Sequence, residues 1–162
     1  MTLLYRVGSG GNSIVVQKSE KPEATDNSLM LSNEEKRLLE RVNKLRTDKQ
    51  KPTLKPNPKL FAVARAHARA MAKKEKEEDE DNGKDTMARV KESGYKWSKD
   101  LLTYNSAVGQ NWNPDQCFQT WSQTLVPTTN MQDEKYLETG IGIARSDGGN
   151  VFFYQIFAMP DK

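Results

Sequence analysis

The end of the chain constrains the fold most. Residues 140–144 and 151–157 are strand-like, and Ser146-Asp147-Gly148-Gly149-Asn150 between them is a strong turn signal. Together they predict a β-hairpin. A third short strand is expected near residues 101–104, and upstream the apolar residues recur mainly at helical spacing. Helices first and a hairpin last predict an α+β fold with a small antiparallel sheet.

The helices carry their own start and stop signals. Ser32 with Glu35 forms a capping box, and Leu38, Leu39, Val42 and Leu45 follow at helical spacing to about Asp48. Residues 51–58, with Pro52 and Pro56, read as a connector. Asn57-Pro58 opens a second helix, with Leu60, Phe61, Val63, Ala64, His67, Ala68 and Met71 on its buried side, that dissolves into acidic sequence near Glu78. A short third helix begins at Asp85 or Thr86 and stops at Gly94. Asn113-Pro114 opens a fourth, lined by Cys117, Phe118 and Trp121. Residues 1–31 read as a weakly ordered tail, with Ile14, Val15 and Val16 able to form a short strand, and residues 32–162 as the folded domain.

Composition excludes several classes. The 162 residues suffice for one domain, and no apolar run approaches the ~20 residues that span a bilayer. A net charge of +3 gives no case for a nucleic-acid partner. The basic stretch over residues 36–59 and the acidic run over residues 75–85 read as solvated surface, with a docking patch built on Arg37 and Arg41 as the alternative. Cys117 is the only cysteine, so no internal disulfide forms. No export signal is recognisable in the sequence as given.

The order of short motifs carries a resemblance. It comprises Glu40-Arg41-Val42-Asn43-Lys44-Leu45-Arg46, Leu54-Lys55-Pro56-Asn57-Pro58-Lys59-Leu60 and Ala64-Arg65-Ala66-His67-Ala68-Arg69-Ala70-Met71. Gly83, Arg89-Val90, Gly94-Tyr95, Trp121, Asn130, Gly140-Ile141-Gly142-Ile143-Ala144 and Tyr154-Gln155-Ile156-Phe157 follow. From about Ser32 to Phe157 the chain resembles the CAP superfamily of cysteine-rich secretory, antigen 5 and pathogenesis-related class 1 proteins, in its compact bacterial form. The resemblance implies a three-layer α/β/α sandwich with a small antiparallel sheet between helices.

It also implies a cleft in which two histidines and two acids can hold zinc or another divalent ion. Transferred position by position, that set is degenerate here. Asp79 falls at the first histidine, Tyr104 at the first glutamate, Gln123 at the second acid and Pro127 at the last histidine. With Asn105 beside Tyr104, and Trp112 in a polar loop, these residues define a candidate ligand-binding cleft: Asp79, Tyr104, Asn105, Gln123 and Trp112. No metal ligand set, cofactor or catalytic residue is assigned.

Other chemistry is poorly supported. His67, the only histidine, reads as a packing residue of the second helix. With Gly83 as the sixth residue of an EF-hand loop the twelfth is Arg89, so that motif fails. There is no Gly-x-Ser-x-Gly elbow, and Cys117 could pair with His67 only if the fold joined them. The expectation is a non-catalytic, monomeric CAP module that binds a peptide, glycan or lipid, with an extracellular or cell-envelope location preferred. The alternative is a hydrolase or metal-dependent enzyme built around Asp79 and Tyr104.

Overall fold

The computed structural model describes residues 29–162. The expected tail and its Ile14–Val16 strand therefore lie outside the described residues, except that Leu29 and Leu31 already pack against the core.

Two strands form the hairpin, β3 (Glu138–Arg145) and β4 (Asn150–Pro160), paired antiparallel from Glu138↔Ala158 to Arg145↔Val151. Gly149 takes φ +85° in the turn, a backbone conformation that glycine adopts without steric cost. The other side of β4 pairs antiparallel with β2 (Trp97–Gln110), in continuous register from Leu102↔Ala158 to Gln110↔Asn150. β4 is thus bonded on both edges and covered on both faces, and every residue from Val151 to Ala158 is buried. Period-two alternation sends Val151, Phe153 and Phe157 into one core and Phe152, Tyr154, Ile156 and Ala158 into the other.

Two details of the sheet differ from expectation. β2 is 14 residues long rather than the short run near 101–104. The sheet is also not purely antiparallel: β1 (Lys55–Pro56), inside the expected connector, pairs parallel with β3 and gives the order β1-β3-β4-β2. A two-residue strand containing a proline, which has no N–H to donate, leaves no periodic signal.

The helices complete the three layers. On one face lie α2 (Pro58–Lys74) and α3 (Thr86–Glu92), and on the other α1 (Asn33–Asp48), α4 (Pro114–Ser122) and α5 (Leu125–Gln132). The expected caps form at Ser32, Asn57, Asp85 and Asn113. α2 stops at Lys74, short of the expected Glu78, because Glu75 turns left-handed at φ +54°. α5 was not expected: it has no side-chain cap, and Pro127 sits in its first turn, where a missing N–H costs no helical bond. A Cβ at Gly140 would run into the backbone of Leu60, and one at Gly142 into the carbonyl of Ala64. Those two glycines let α2 lie directly on β3.

The α1 motif proves structural. Arg46 is fully buried, and its guanidinium donates to the carbonyls of Pro52 (2.6 Å), Met131 (3.0 Å), Asp133 (3.0 Å) and Tyr136 (2.8 Å). It clamps α1 to the connector, to the end of α5 and to the approach to β3. Asn43 exchanges two hydrogen bonds with the backbone of Leu54.

Candidate functional site

The loop between α2 and α3 folds back over β4 and delivers Asp79 to the edge of the core. One oxygen of Asp79 accepts from the Thr86 backbone N–H at 3.1 Å, from the Thr86 hydroxyl, and from Arg89 Nη2 at 3.0 Å. Arg89 Nη1 donates to the carbonyls of Asp79 (2.7 Å) and Lys84 (2.6 Å). Below them the Tyr154 hydroxyl bonds to Thr86 Oγ1 and accepts from Arg89 Nη2 at 3.3 Å. A guanidinium therefore closes over the carboxylate.

Tyr154 is the hub of this cluster. Its ring centroid lies 4.7 Å from that of His67 and 5.2 Å from that of Tyr104. Burial holds the Tyr154 phenol well above its ordinary range, so it stays neutral. Burial, and then the nearby Asp79 charge, raise the Tyr104 phenol as well. His67 Nε2 lies 2.7 Å from the Glu78 carbonyl, which can only accept, so this nitrogen carries the proton. Burial and the Arg89 charge depress the His67 pKa, leaving a neutral ring whose buried Nδ1 has no hydrogen-bond partner among the described residues.

The other expected cleft residues lie elsewhere. Tyr104 and Asn105 point to opposite faces of β2. Asn105 is buried, donates to the Pro127 carbonyl at 3.0 Å and accepts from Asn130 at 2.9 Å, anchoring α5. Gln123 is exposed at the C-terminus of α4. Trp112, before α4, is half-buried with its ring so close over Gly109 that a Cβ there would collide with it. The fold joins Asp79 to Tyr104 through Tyr154, and leaves Asn105, Gln123 and Trp112 with the opposite layer.

Arg89, Thr86 and Tyr154 complete the cluster, although the sequence marked none of them as functional. Arg89 and Tyr154 fall in motifs of the resemblance, but no motif joins them to Asp79, because Thr86 and Arg89 come from α3 and Tyr154 from β4.

The arrangement limits the chemistry. A divalent ion needs several lone pairs converging on one point. Here Asp79 is committed to Arg89 and Thr86, Tyr104 is a neutral phenol, and Pro127 offers no side-chain donor. Among the described residues no three histidine, cysteine, aspartate or glutamate side chains converge as a metal site would require. Cys117 lies in the core on the α1 side of the sheet, where burial raises its thiol pKa, while His67 packs on the α2 side, so the sheet separates them.

The surrounding charges are largely used internally. Arg37 grips Asp115 with two bonds of 2.9 and 3.1 Å, and Arg41 lies over the Phe118 ring at 4.7 Å. Both expected docking arginines of α1 thus hold α4. In the acidic loop, Lys74 pairs with Asp81, and Glu75 accepts from Gly148 and Asn150 of the hairpin turn.

The model of the cysteine-rich secretory protein (CAP) family matches residues 39–157. The chain belongs to that family. No curated protein sequence matches it at a significant level. Among solved structures, this CAP domain resembles an outer surface protein from Borrelia burgdorferi, with a TM-score of 0.68 at 12% identity over 80% of this chain and 95% of that one. It also resembles an extracellular SCP-domain protein from Bacillus anthracis, with a TM-score of 0.64 at 18% identity over 80% of this chain. A cysteine-rich secretory protein from Staphylococcus aureus gives 0.61 at 21% identity over 91%. The matches span 44% of each of those two longer chains. At these identities the likeness establishes the shared fold, consistent with the α/β/α sandwich. Among the described residues no helix is long and apolar enough to cross a membrane.

Proposed function

We propose that this CAP domain is a non-catalytic binding module of the extracellular space or cell envelope, in which the Asp79 cluster is structural. The observation that supports this most is the Arg89 guanidinium 3.0 Å from Asp79. An internal cation neutralises the one acid that remains at a position where the family can hold a metal ligand. Thr86 and Tyr154 tie that pair to α3 and β4. Its neighbours include proteins described as outer surface, extracellular and secretory, which favours the location.

The test is thermal unfolding of the full chain in EDTA and then in graded Zn²⁺ and Ca²⁺. A ligand specific for the native state raises the midpoint with its concentration. The proposal expects no saturable rise with either ion. A saturable Zn²⁺ shift that Asp79→Ala removes would overturn it and restore the metal-dependent reading.

A further inference from the structure

A second surface, on the other face of α3 from Thr86 and Arg89, has the composition of a recognition site. Between α3 and the start of β2 runs an open groove of about 560 Å³. Met87, Ala88, Tyr95 and Trp97 give it an apolar lining, and Lys91 and Lys96 stand on its rim. Met87 is 56% exposed although it is a large apolar side chain. Trp97 beside it is half-buried and Tyr95 forms the buried floor; exposed methionine next to an accessible aromatic is enriched at protein-recognition surfaces. The β2–β4 ladder is interrupted beside the groove, between Trp97 and Leu102, and Asp100 there takes φ +63°.

The rim charge selects among occupants. Neither Lys91 nor Lys96 makes an ion pair among the described residues, and neither does Lys59, whose ammonium lies beside Gly94 of the same groove. Asp161 is the one acid on the lining, so two ammonium groups face a single carboxylate. The volume holds a few side chains. A small-molecule ligand would normally be mostly enclosed, whereas this groove stays open along one side, as one face of a bound polypeptide requires.

We infer that the α3–β2 groove binds a short acidic peptide segment of a partner protein, with an apolar side chain seated between Met87 and Trp97 and carboxylates paired to Lys91 and Lys96. This inference rests on the binding-module reading but not on the Asp79 cluster. Opposite charge across such a rim sets specificity and association rate.

The experiment is a titration of the ¹⁵N-labelled full chain with a capped hexapeptide of two leucines flanked by paired glutamates. Controls are the same peptide with lysines and sodium palmitate. The glutamate peptide should saturably shift the Trp97 indole and Gly94 amide signals, and the lysine peptide should bind about tenfold more weakly. Lys91→Glu with Lys96→Glu should reverse that preference; both lysines are exposed, and unchanged amide signals outside the groove check that the variant is folded. Equal response to both peptides, no response to either, or a groove response to palmitate alone would each overturn the assignment. The zinc titration of the preceding proposal is independent: saturable metal binding at Asp79 with an intact peptide preference would defeat that reading and leave this one standing.

Discussion

If Asp79 and Arg89 form a structural pair, neutralising Asp79 must destabilise the fold. Were Asp79 instead kept for function, its removal would be neutral or stabilising, because functional charges are commonly held at a cost to stability. The sign therefore separates the two roles. Their side chains are 29% and 13% exposed, so solvent screens the pair less than at an open surface. Hydrogen bonds to charged groups contribute about 1.5–3 kcal/mol each, and neutral ones about 1 kcal/mol. Asp79→Asn keeps the shape but makes the Arg89 contact neutral-to-charged, so the expected loss is about 1–2 kcal/mol. Arg89→Met also strands the Asp79 and Lys84 carbonyls, for a loss of roughly 2–3 kcal/mol. The double variant should fall short of the sum by about 1 kcal/mol or more, as residues in one network do. Calorimetric scans at pH 7 should therefore show midpoints lowered by roughly 3–6 °C for Asp79→Asn, at about 3 °C per kcal/mol for a domain of this size. An unchanged or raised midpoint for Asp79→Asn, or additive single variants, would refute the structural assignment.

Two further outcomes follow from the same geometry. Arg46→Met removes the donor from four carbonyls, of which those of Met131 and Tyr136 make buried hydrogen bonds; the loss should be about 3–5 kcal/mol, and a urea-unfolding difference below about 1 kcal/mol would show that the clamp is dispensable. His67 binds a proton more readily unfolded than folded, since burial lowers its folded pKa from 6.5, so its contribution is complete above that pH and is lost as the pH falls toward the folded value. Between pH 6.5 and 5 the midpoint of the parent should fall faster than that of His67→Phe; Glu77, whose carboxyl desolvation pushes up, titrates with the opposite sign in both proteins and cancels in the comparison. Parallel curves would mean that the His67 ring is not kept neutral by the fold.

The sequence and the structure agree where the signal is local or periodic. The capping box at Ser32, the Asn57-Pro58 and Asn113-Pro114 starts and the turn at residues 146–149 each act through atoms a few residues apart, so their chemistry is legible in the chain order. The misses share the opposite property. β1 depends on the N–H groups of Lys55 and Asn57 finding the Leu137 and Thr139 carbonyls, α5 is tied to β2 through Asn105 and Asn130, and the Arg46 clamp needs acceptors up to 90 residues away to converge. The candidate site divides along the same line. Position by position the sequence marks Asp79, Tyr104, Gln123 and Pro127 as departures from the pattern it resembles, because each such comparison is local. It could not reveal what Asp79 does instead, since that depends on Thr86 and Arg89 from α3 and Tyr154 from β4. A departure from a pattern is legible as a changed side chain, but the cation beside Asp79 is legible only in three dimensions. The role of such a position therefore turns on which neighbouring group satisfies its charge, and for Asp79 that group is Arg89.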